Sequence, residues 1–177
     1  MGQPLQGERI CLIPIQLAHA PELFKIWSNP KITEFMNIDP FCDEKQAGEM
    51  IVYLKNLAKE QKALRYTIFH KEQAKIMGSC GFNQIDTHNQ HGEIGYELDE
   101  AFWRQGYGSE VVEQLVNHGF SYLHMVRISA KVEAANKASI HVLEKNRFQY
   151  EGTLRKAEKS KGTFIDLCMY ARLKHDQ

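Results

Sequence analysis

The chain has 177 residues, 43% of them hydrophobic, and its 22 Lys and Arg residues equal its 22 Asp and Glu residues. That length suits a single domain spanning residues 1–177 around one core, and the hydrophobic content is ordinary for a soluble globular protein. The balanced charge gives no net bias toward nucleic acid or an anionic membrane, so we expect neither as a partner.

The four cysteines are Cys11, Cys42, Cys80 and Cys168. They are far apart and have neither the C-x-x-C spacing nor the Cys/His spacing of a metal site. We therefore expect no disulfide framework, no bound metal and reduced thiols in a cytoplasmic protein. The sequence also has no signal-peptide pattern at its N-terminus and no apolar run near membrane-spanning length.

Short strands and helices alternate in the first part of the chain. Arg9–Pro14 is predicted to be a strand that ends at proline, and His19–Ser28 a helix that stops at Asn29-Pro30. Asp43, with Gln46 three residues later, resembles a capping box. It precedes apolar residues that share one helical face: Ala47, Met50, Ile51, Leu54, Leu57 and Ala58.

The middle of the chain predicts three antiparallel strands followed by a helix. Arg65–Phe69 and Lys75–Phe82 flank the polar turn His70–Gln73, as in a hairpin. Glu93–Leu98 alternates apolar and other residues, which is typical of a strand. Val111–Leu123 then carries an apolar stripe at i, i+3 and i+4, which predicts an amphipathic helix.

The last part predicts a strand, a helix, a loop and a final strand. Arg127–Val132 alternates like a short strand, and Lys137–Asn146 is a predicted helix with Asn136 as its N-cap. We expect a loop at residues 150–163 and a last strand at Phe164–Tyr170.

A Gly-x-Gly turn, within Arg104–Glu110, opens the helix of the central region. Backbone N–H groups at such a helix start lack intrahelical partners and lie at the positive end of the dipole, which suits a pyrophosphate. Gly108 is not followed by the lysine of a P-loop, and Val111 stands where the dinucleotide fingerprint has a third glycine. A plain tight turn remains the alternative.

Beyond the turn, motifs over about residues 75–173 stand in the order and at the spacing of the GNAT acetyltransferases. The matched segments are Glu93–Leu98, Trp103–Glu110, Asn136–Ser139, Leu143–Phe148 and Glu151-Gly152. The final third resembles the RimJ/RimL-type ribosomal-protein N-acetyltransferases. That resemblance rests on Asn136-x-Ala138-Ser139, Glu151-Gly152, Lys156-Ala157-Glu158 and Met169–Arg172.

The resemblance implies an α/β (α+β) fold, a mixed and mostly antiparallel sheet with helices on both faces. It also implies that the sheet is splayed at its centre, between Glu93–Leu98 and Ile128–Val132. In this family the pantetheine arm of acetyl-CoA pairs with the exposed strand edge like an added strand.

The resemblance further implies acetyl-CoA as the cosubstrate, with no metal. The residues expected to bind it are Tyr96, Leu98, Trp103, Arg104, Gln105, Gly106, Tyr107, Gly108, Ser109, Asn136 and Ser139. Trp103 departs from the Arg or Gln of the broad family pattern. Arg147 replaces the usual glycine after the second signature helix, so we expect Asn146 to adopt the positive φ at that helix end.

Three residues are expected to carry the chemistry. The resemblance implies that Ser139 protonates the leaving thiolate and that Glu158 is the general base, with Glu97 as a competing base acting through water. The alternatives are a Ser139 hydroxyl bonded to backbone and a Glu158 that is merely solvated or attracts the amine.

The expected reaction is direct transfer of acetyl from acetyl-CoA to a primary amine. An α-amine, with a pKa of about 7.7–8.0, needs a weaker base than a lysine side chain near 10.4, which favours a protein or peptide N-terminus. The alternatives are a small amine, such as a polyamine, amino acid or aminoglycoside, and a non-catalytic acyl-CoA-binding module. Whether the chain forms a homodimer stays open.

Overall fold

The computed structural model describes residues 2–176, and its centre is one sheet of eight strands. In chain order the strands are β1 (Leu5–Gln6), β2 (Ile10–Pro14), β3 (Leu64–His70), β4 (Lys75–Asp86), β5 (His91–Leu98), β6 (Arg127–Glu133), β7 (Gln149–Ser160) and β8 (Thr163–Leu173). Their spatial order is β1-β2-β3-β4-β5-β6-β8-β7, and all neighbours are antiparallel except β5 and β6, which are parallel.

Helices cover both faces of this sheet. They are α1 (Ala20–Trp27), α2 (Pro30–Thr33), α3 (Glu44–Lys59), α4 (Tyr107–Ser121) and α5 (Lys137–Lys145), with short 3-10 turns at Leu17–His19 and Glu100–Phe102. The apolar stripe of α4 packs with Leu143 of α5 into the larger buried cluster. Residues of α1 and α3, including Leu23 and Ile51, form a second cluster. The mixed sheet with its helices confirms the predicted fold class.

Two predicted helix caps are present. The Asp43 side chain accepts from Lys45 N at 3.0 Å and forms a capping box with Gln46 at the start of α3. Asn136 Oδ1 accepts from Ser139 N at 3.1 Å and caps α5. Each cap satisfies a backbone N–H that a helix start otherwise leaves without a partner.

Two local predictions were wrong. Residues 150–163 are not a loop, because β7 runs through most of them, pairs with β8 and bulges between Leu154 and Glu158. Only Ser160 of its twelve residues is buried, so no apolar alternation marked this edge strand. After α5, Arg147 has the positive φ of 63°, whereas Asn146 stays at −89° with its side-chain amide bonded to Ser109 Oγ and Val142 O.

The sheet opens at its centre, between β5 and β6. These strands pair only at their beginnings, the last pair being Glu93 with Ser129. Ile94–Leu98 and Ala130–Glu133 then diverge, each still held by its outer neighbour, β4 or β8. Beyond this point the facing edges of β5 and β6 carry backbone N–H and C=O groups that do not pair with each other. The gap between them therefore determines where a ligand can enter the sheet.

Candidate functional site

A cavity of about 360 Å³ occupies the gap between β5 and β6, and we call it the central cavity. Its walls come from helices of both faces and from the strands between them. Its polar and charged lining includes Arg65, Asn83, Glu93, Tyr96, Glu97, Lys131, Glu133, Asn136, Ser139 and Glu158, and the Trp27 indole also lines it. Because α1 and α3 lie on one face and α5 on the other, the cavity connects the two sides of the sheet.

The Gly-x-Gly turn opens α4 with free backbone donors. Gly106 is the N-cap with φ 84°, a left-handed conformation that glycine adopts at little cost, and Arg104 beside it has φ 58°. The first helical hydrogen bond runs from Glu110 N to Gly106 O at 3.2 Å. The N–H groups of Tyr107, Gly108 and Ser109 therefore precede the bonded helix and can bind an anion.

Arg9, which lies next to β2, clamps this turn. Its guanidinium donates to Gln105 O at 2.9 Å and to Glu110 Oε2 at 3.0 Å, and lies 4.2 Å from the ring centroid of Tyr107. Glu110 Oε1 also accepts from Arg9 N at 2.7 Å. No motif in the sequence marks Arg9, and its contacts join residues about a hundred positions apart, so its role was not predictable from the sequence.

Other predicted cofactor residues use their side chains to hold the turn. The Trp103 indole donates to Leu98 O at 2.7 Å, and the Gln105 amide donates to Ala101 O at 2.8 Å. The Tyr107 hydroxyl lies 2.8 Å from His70 Nε2. The side chains of Trp103, Gln105 and Tyr107 are therefore engaged in holding the turn, and its backbone amides remain available as donors.

Ser139 lies in the first turn of α5, and its hydroxyl faces the central cavity. Its backbone N–H donates to Asn136, and its Oγ lies 3.5 Å from the Tyr96 hydroxyl. Within residues 2–176 this phenol is the hydroxyl's hydrogen-bond partner, rather than a backbone group. Burial raises the pKa of Tyr96, while the contact with Ser139 lowers it by a smaller amount.

Glu97, the next residue of β5, belongs to a buried polar cluster on the other face. It is 6% exposed. One carboxylate oxygen accepts from Trp27 Nε1 at 2.9 Å and from the Ser79 hydroxyl, and the other pairs with Arg65. Each oxygen of Glu97 thus already has a donor, and the charge has a partner.

Glu158 follows the β7 bulge and lines the same cavity while half-buried. The backbone N–H of Lys156, which has φ 49°, donates to Asp166 Oδ1 at 2.7 Å and holds the bulge in place. In the described part of the chain no hydrogen bond or ion pair engages the Glu158 carboxylate. All three residues of the predicted catalytic set, Ser139, Glu158 and Glu97, thus line one cavity.

The charges around the cavity favour a cationic ligand. Four carboxylates line it, and two of them are neutralised: Arg65 pairs with Glu97, and Lys131 Nζ lies 2.8 Å from Glu93. Glu133 and Glu158 have no ion-pair partner within residues 2–176. Two negative charges thus remain to attract an ammonium group.

Between residues 2 and 176, no helix combines the length and the apolar character that crossing a bilayer requires. Over the same range, no three His, Cys, Asp or Glu side chains come together as a metal site.

Comparison with known proteins gives consistent matches. The family described as an acetyltransferase (GNAT) domain matches residues 9–149. The uncharacterized N-acetyltransferase p20 of Bacillus licheniformis is 43% identical over 174 residues, covering 98% of each chain. The ribosomal-protein-serine acetyltransferase of Escherichia coli K12 is 30% identical over 151 residues, 84% of this chain and 80% of that protein.

A solved structure of RimL, the ribosomal L7/L12 α-N-protein acetyltransferase in complex with coenzyme A, is similar over nearly the whole chain. The TM-score is 0.88 at 27% sequence identity, and the match covers 97% of this chain and 98% of that one. The fold of this chain therefore corresponds to that of RimL over nearly its whole length.

Proposed function

The chain belongs to the GNAT family of acetyltransferases, acyltransferases that use acetyl-CoA, and from this premise we propose that it acetylates the α-amine of a protein or peptide N-terminus. The observation that carries the proposal is the central cavity, in which Ser139 and Glu158 lie on a passage through the sheet. Among residues 2–176 the Glu158 carboxylate has no ion-pair partner. Direct transfer needs a thioester on one side of such a passage and an amine on the other.

The donor would bind on the α4 and α5 face. Its pyrophosphate would accept from the N–H groups of Tyr107, Gly108 and Ser109, in the turn that Arg9 holds. The pantetheine arm would lie along the unpaired edge of β5, whose N–H groups could also stabilise the developing oxyanion. The thioester would then end near Ser139.

The acceptor would approach from the α1 and α3 face. Glu158 is the better candidate for the base, because Glu97 already accepts from Trp27 and Ser79 and is neutralised by Arg65. A carboxylate without these partners keeps lone pairs available for the amine proton. An α-amine is neutral in part at pH 7, so one carboxylate of moderate basicity suffices.

The transfer is proposed to be direct, without an acetyl-cysteine. Cys80 is the cysteine of the central strands, and it is fully buried and absent from the cavity walls. Burial raises the pKa of its thiol, which keeps it protonated and weakly nucleophilic.

We also infer the domain organisation, the partners and the cellular location of the protein. Residues 1–177 are taken as one catalytic domain, because Ser139, Glu158 and Glu97 line one cavity, and a homodimer is compatible with it. The balanced charge argues against nucleic acid as the acceptor, and the widely spaced cysteines suit a cytoplasmic enzyme.

The acceptor is tested with a panel of amines and a thiol-release assay. Peptides with a free N-terminal Ser, Ala or Thr are expected to be acetylated, whereas N-terminally blocked peptides that carry an internal lysine are not. Spermidine and an aminoglycoside represent the small-amine alternative. A higher kcat/KM for any of these than for every free peptide would favour that alternative, and no turnover of any amine would favour an acyl-CoA-binding module.

The donor site is tested by Gly108→Val. A Cβ at Gly108 would lie 3.3 Å from a Tyr96 ring carbon. The branched valine side chain would add bulk at the start of α4, where the pyrophosphate is proposed to bind. The Kd for acetyl-CoA is expected to rise at least about tenfold, roughly 1.4 kcal/mol, in calorimetry. Gly48→Val in α3 is the control, since a Cβ there meets only a Leu17 methyl at 3.5 Å. Equal affinity in folded Gly108→Val would remove the turn from the donor site.

A further inference from the structure

Two hydroxyl groups face each other where the donor would end. Tyr96 Oη and Ser139 Oγ are 3.5 Å apart, and within residues 2–176 neither has another hydrogen-bond partner. Hydroxyl pairs that bond each other well are closer, at about 2.7–2.8 Å. The pair is therefore loosely bonded in the free protein, and both hydroxyls remain available to a third atom.

We propose that Tyr96 is a second catalytic residue, whose hydroxyl joins that of Ser139 in donating to the coenzyme A sulfur as the thiolate leaves. A sulfur accepts hydrogen bonds at longer distances than oxygen does, so one sulfur can contact two oxygens that are 3.5 Å apart. The inference rests on the proposed donor site and is independent of which amine is the acceptor.

The direction of the Tyr96 side chain is fixed by its surroundings. A Cβ built at Gly108 would lie 3.3–3.5 Å from the Tyr96 ring and hydroxyl, which places that ring beside the start of α4. Successive side chains of a strand point to opposite faces, and Glu97 accordingly contacts Trp27 of α1 on the other face. Tyr96 thus presents its hydroxyl to the donor face of the gap.

The protonation state of Tyr96 suits a donor. Burial raises the pKa of the phenol, so it keeps its proton at neutral pH. The amine nitrogen bonds to the acetyl carbon, and the C–S bond breaks with its electron pair on sulfur. Both hydroxyls donate to this thiolate, solvent supplies the proton that completes the thiol, and Glu158 returns the amine proton to solvent.

The test measures the pKa of the coenzyme A thiol bound to the enzyme. The titration is monitored by the absorbance of the thiolate, with enzyme alone as the blank. A model thiol has a pKa of about 8.5, and donors to the charged form lower it. In the unmodified enzyme we expect the bound thiol to have a pKa below that of the model thiol. Relative to the unmodified enzyme, the bound thiol pKa should rise by about one unit in Tyr96→Phe and by a similar amount in Ser139→Ala. In Tyr96→Phe, kcat should fall about tenfold with little change in KM for acetyl-CoA.

Tyr66→Phe is the matched control, because that hydroxyl contacts His118 away from the central cavity. Its bound thiol pKa should equal that of the unmodified enzyme. An unchanged thiol pKa in Tyr96→Phe, or a loss of coenzyme A affinity as the only effect, would overturn the inference and leave the proposed function standing. Failure of the unmodified enzyme to bind coenzyme A would instead overturn both.

Discussion

Replacing Glu158 by glutamine is expected to lower kcat by about 10²–10⁴-fold, the range over which a positioned general base contributes. Glutamine keeps the size of the side chain and removes its ability to accept the amine proton. The loss should be largest below the α-amine pKa of about 7.7–8.0, where most of the acceptor is protonated, and smaller above it. Steady-state rates from pH 6 to 9 with a free-N-terminus peptide measure this dependence.

Two other carboxylates of the cavity are the controls. Glu133→Gln removes the same charge from the same cavity, and an equal fall in kcat there would assign the effect to electrostatic attraction rather than to proton transfer. Glu97→Gln tests the competing base. Full kcat in Glu158→Gln, together with a large loss in folded Glu97→Gln, would transfer the role to Glu97.

The largest stability effect is expected from Arg65→Met. This change removes the cation that pairs with the buried Glu97 carboxylate and keeps a long side chain in its place. Breaking one side of a buried ion pair costs about 3–5 kcal/mol, because the remaining charge stays desolvated. For a chain of this size the Tm should fall by roughly 6–20 °C.

The double variant Arg65→Met with Glu97→Gln separates charge from packing. Glutamine can still accept from Trp27 and Ser79 without leaving an unpaired charge. In thermal unfolding, the double variant should therefore have a higher Tm than Arg65→Met alone. An equally unstable double variant would mean that the arginine stabilises the protein through packing and its bonds to Asn83 and Gly95.

Local interactions were predictable from the sequence, and contacts between distant segments were not. The Asp43 and Asn136 caps lie within three residues of their partners, so spacing alone identified them. Arg9 and Glu110 are joined across 101 positions, and Arg65 and Glu97 across 32. The sequence therefore suggests Glu97 as a base but gives no sign of the buried cluster that engages its carboxylate.

Burial and strand pairing explain the other differences between the sequence-based predictions and the structure. β7 is exposed on both faces over most of its length, so its sequence had no alternation and was mistaken for a loop. The gap between β5 and β6 was expected only from family resemblance, because divergence after Glu93 and Ser129 is a property of pairing rather than of either strand's sequence. The Lys156-Ala157-Glu158 motif identified Glu158 as a candidate. No motif predicted the bulge between Leu154 and Glu158 that precedes it.

The most direct measurement uses one peptide that carries both kinds of amine, a free N-terminal serine and an internal lysine, incubated with the enzyme and acetyl-CoA. Tandem mass spectrometry then locates the acetyl group. The proposed function predicts acetylation at the N-terminal nitrogen, strongly slowed in Glu158→Gln and reduced in Gly108→Val when acetyl-CoA is below saturation. Acetyl found on the lysine with the N-terminus unmodified would contradict it.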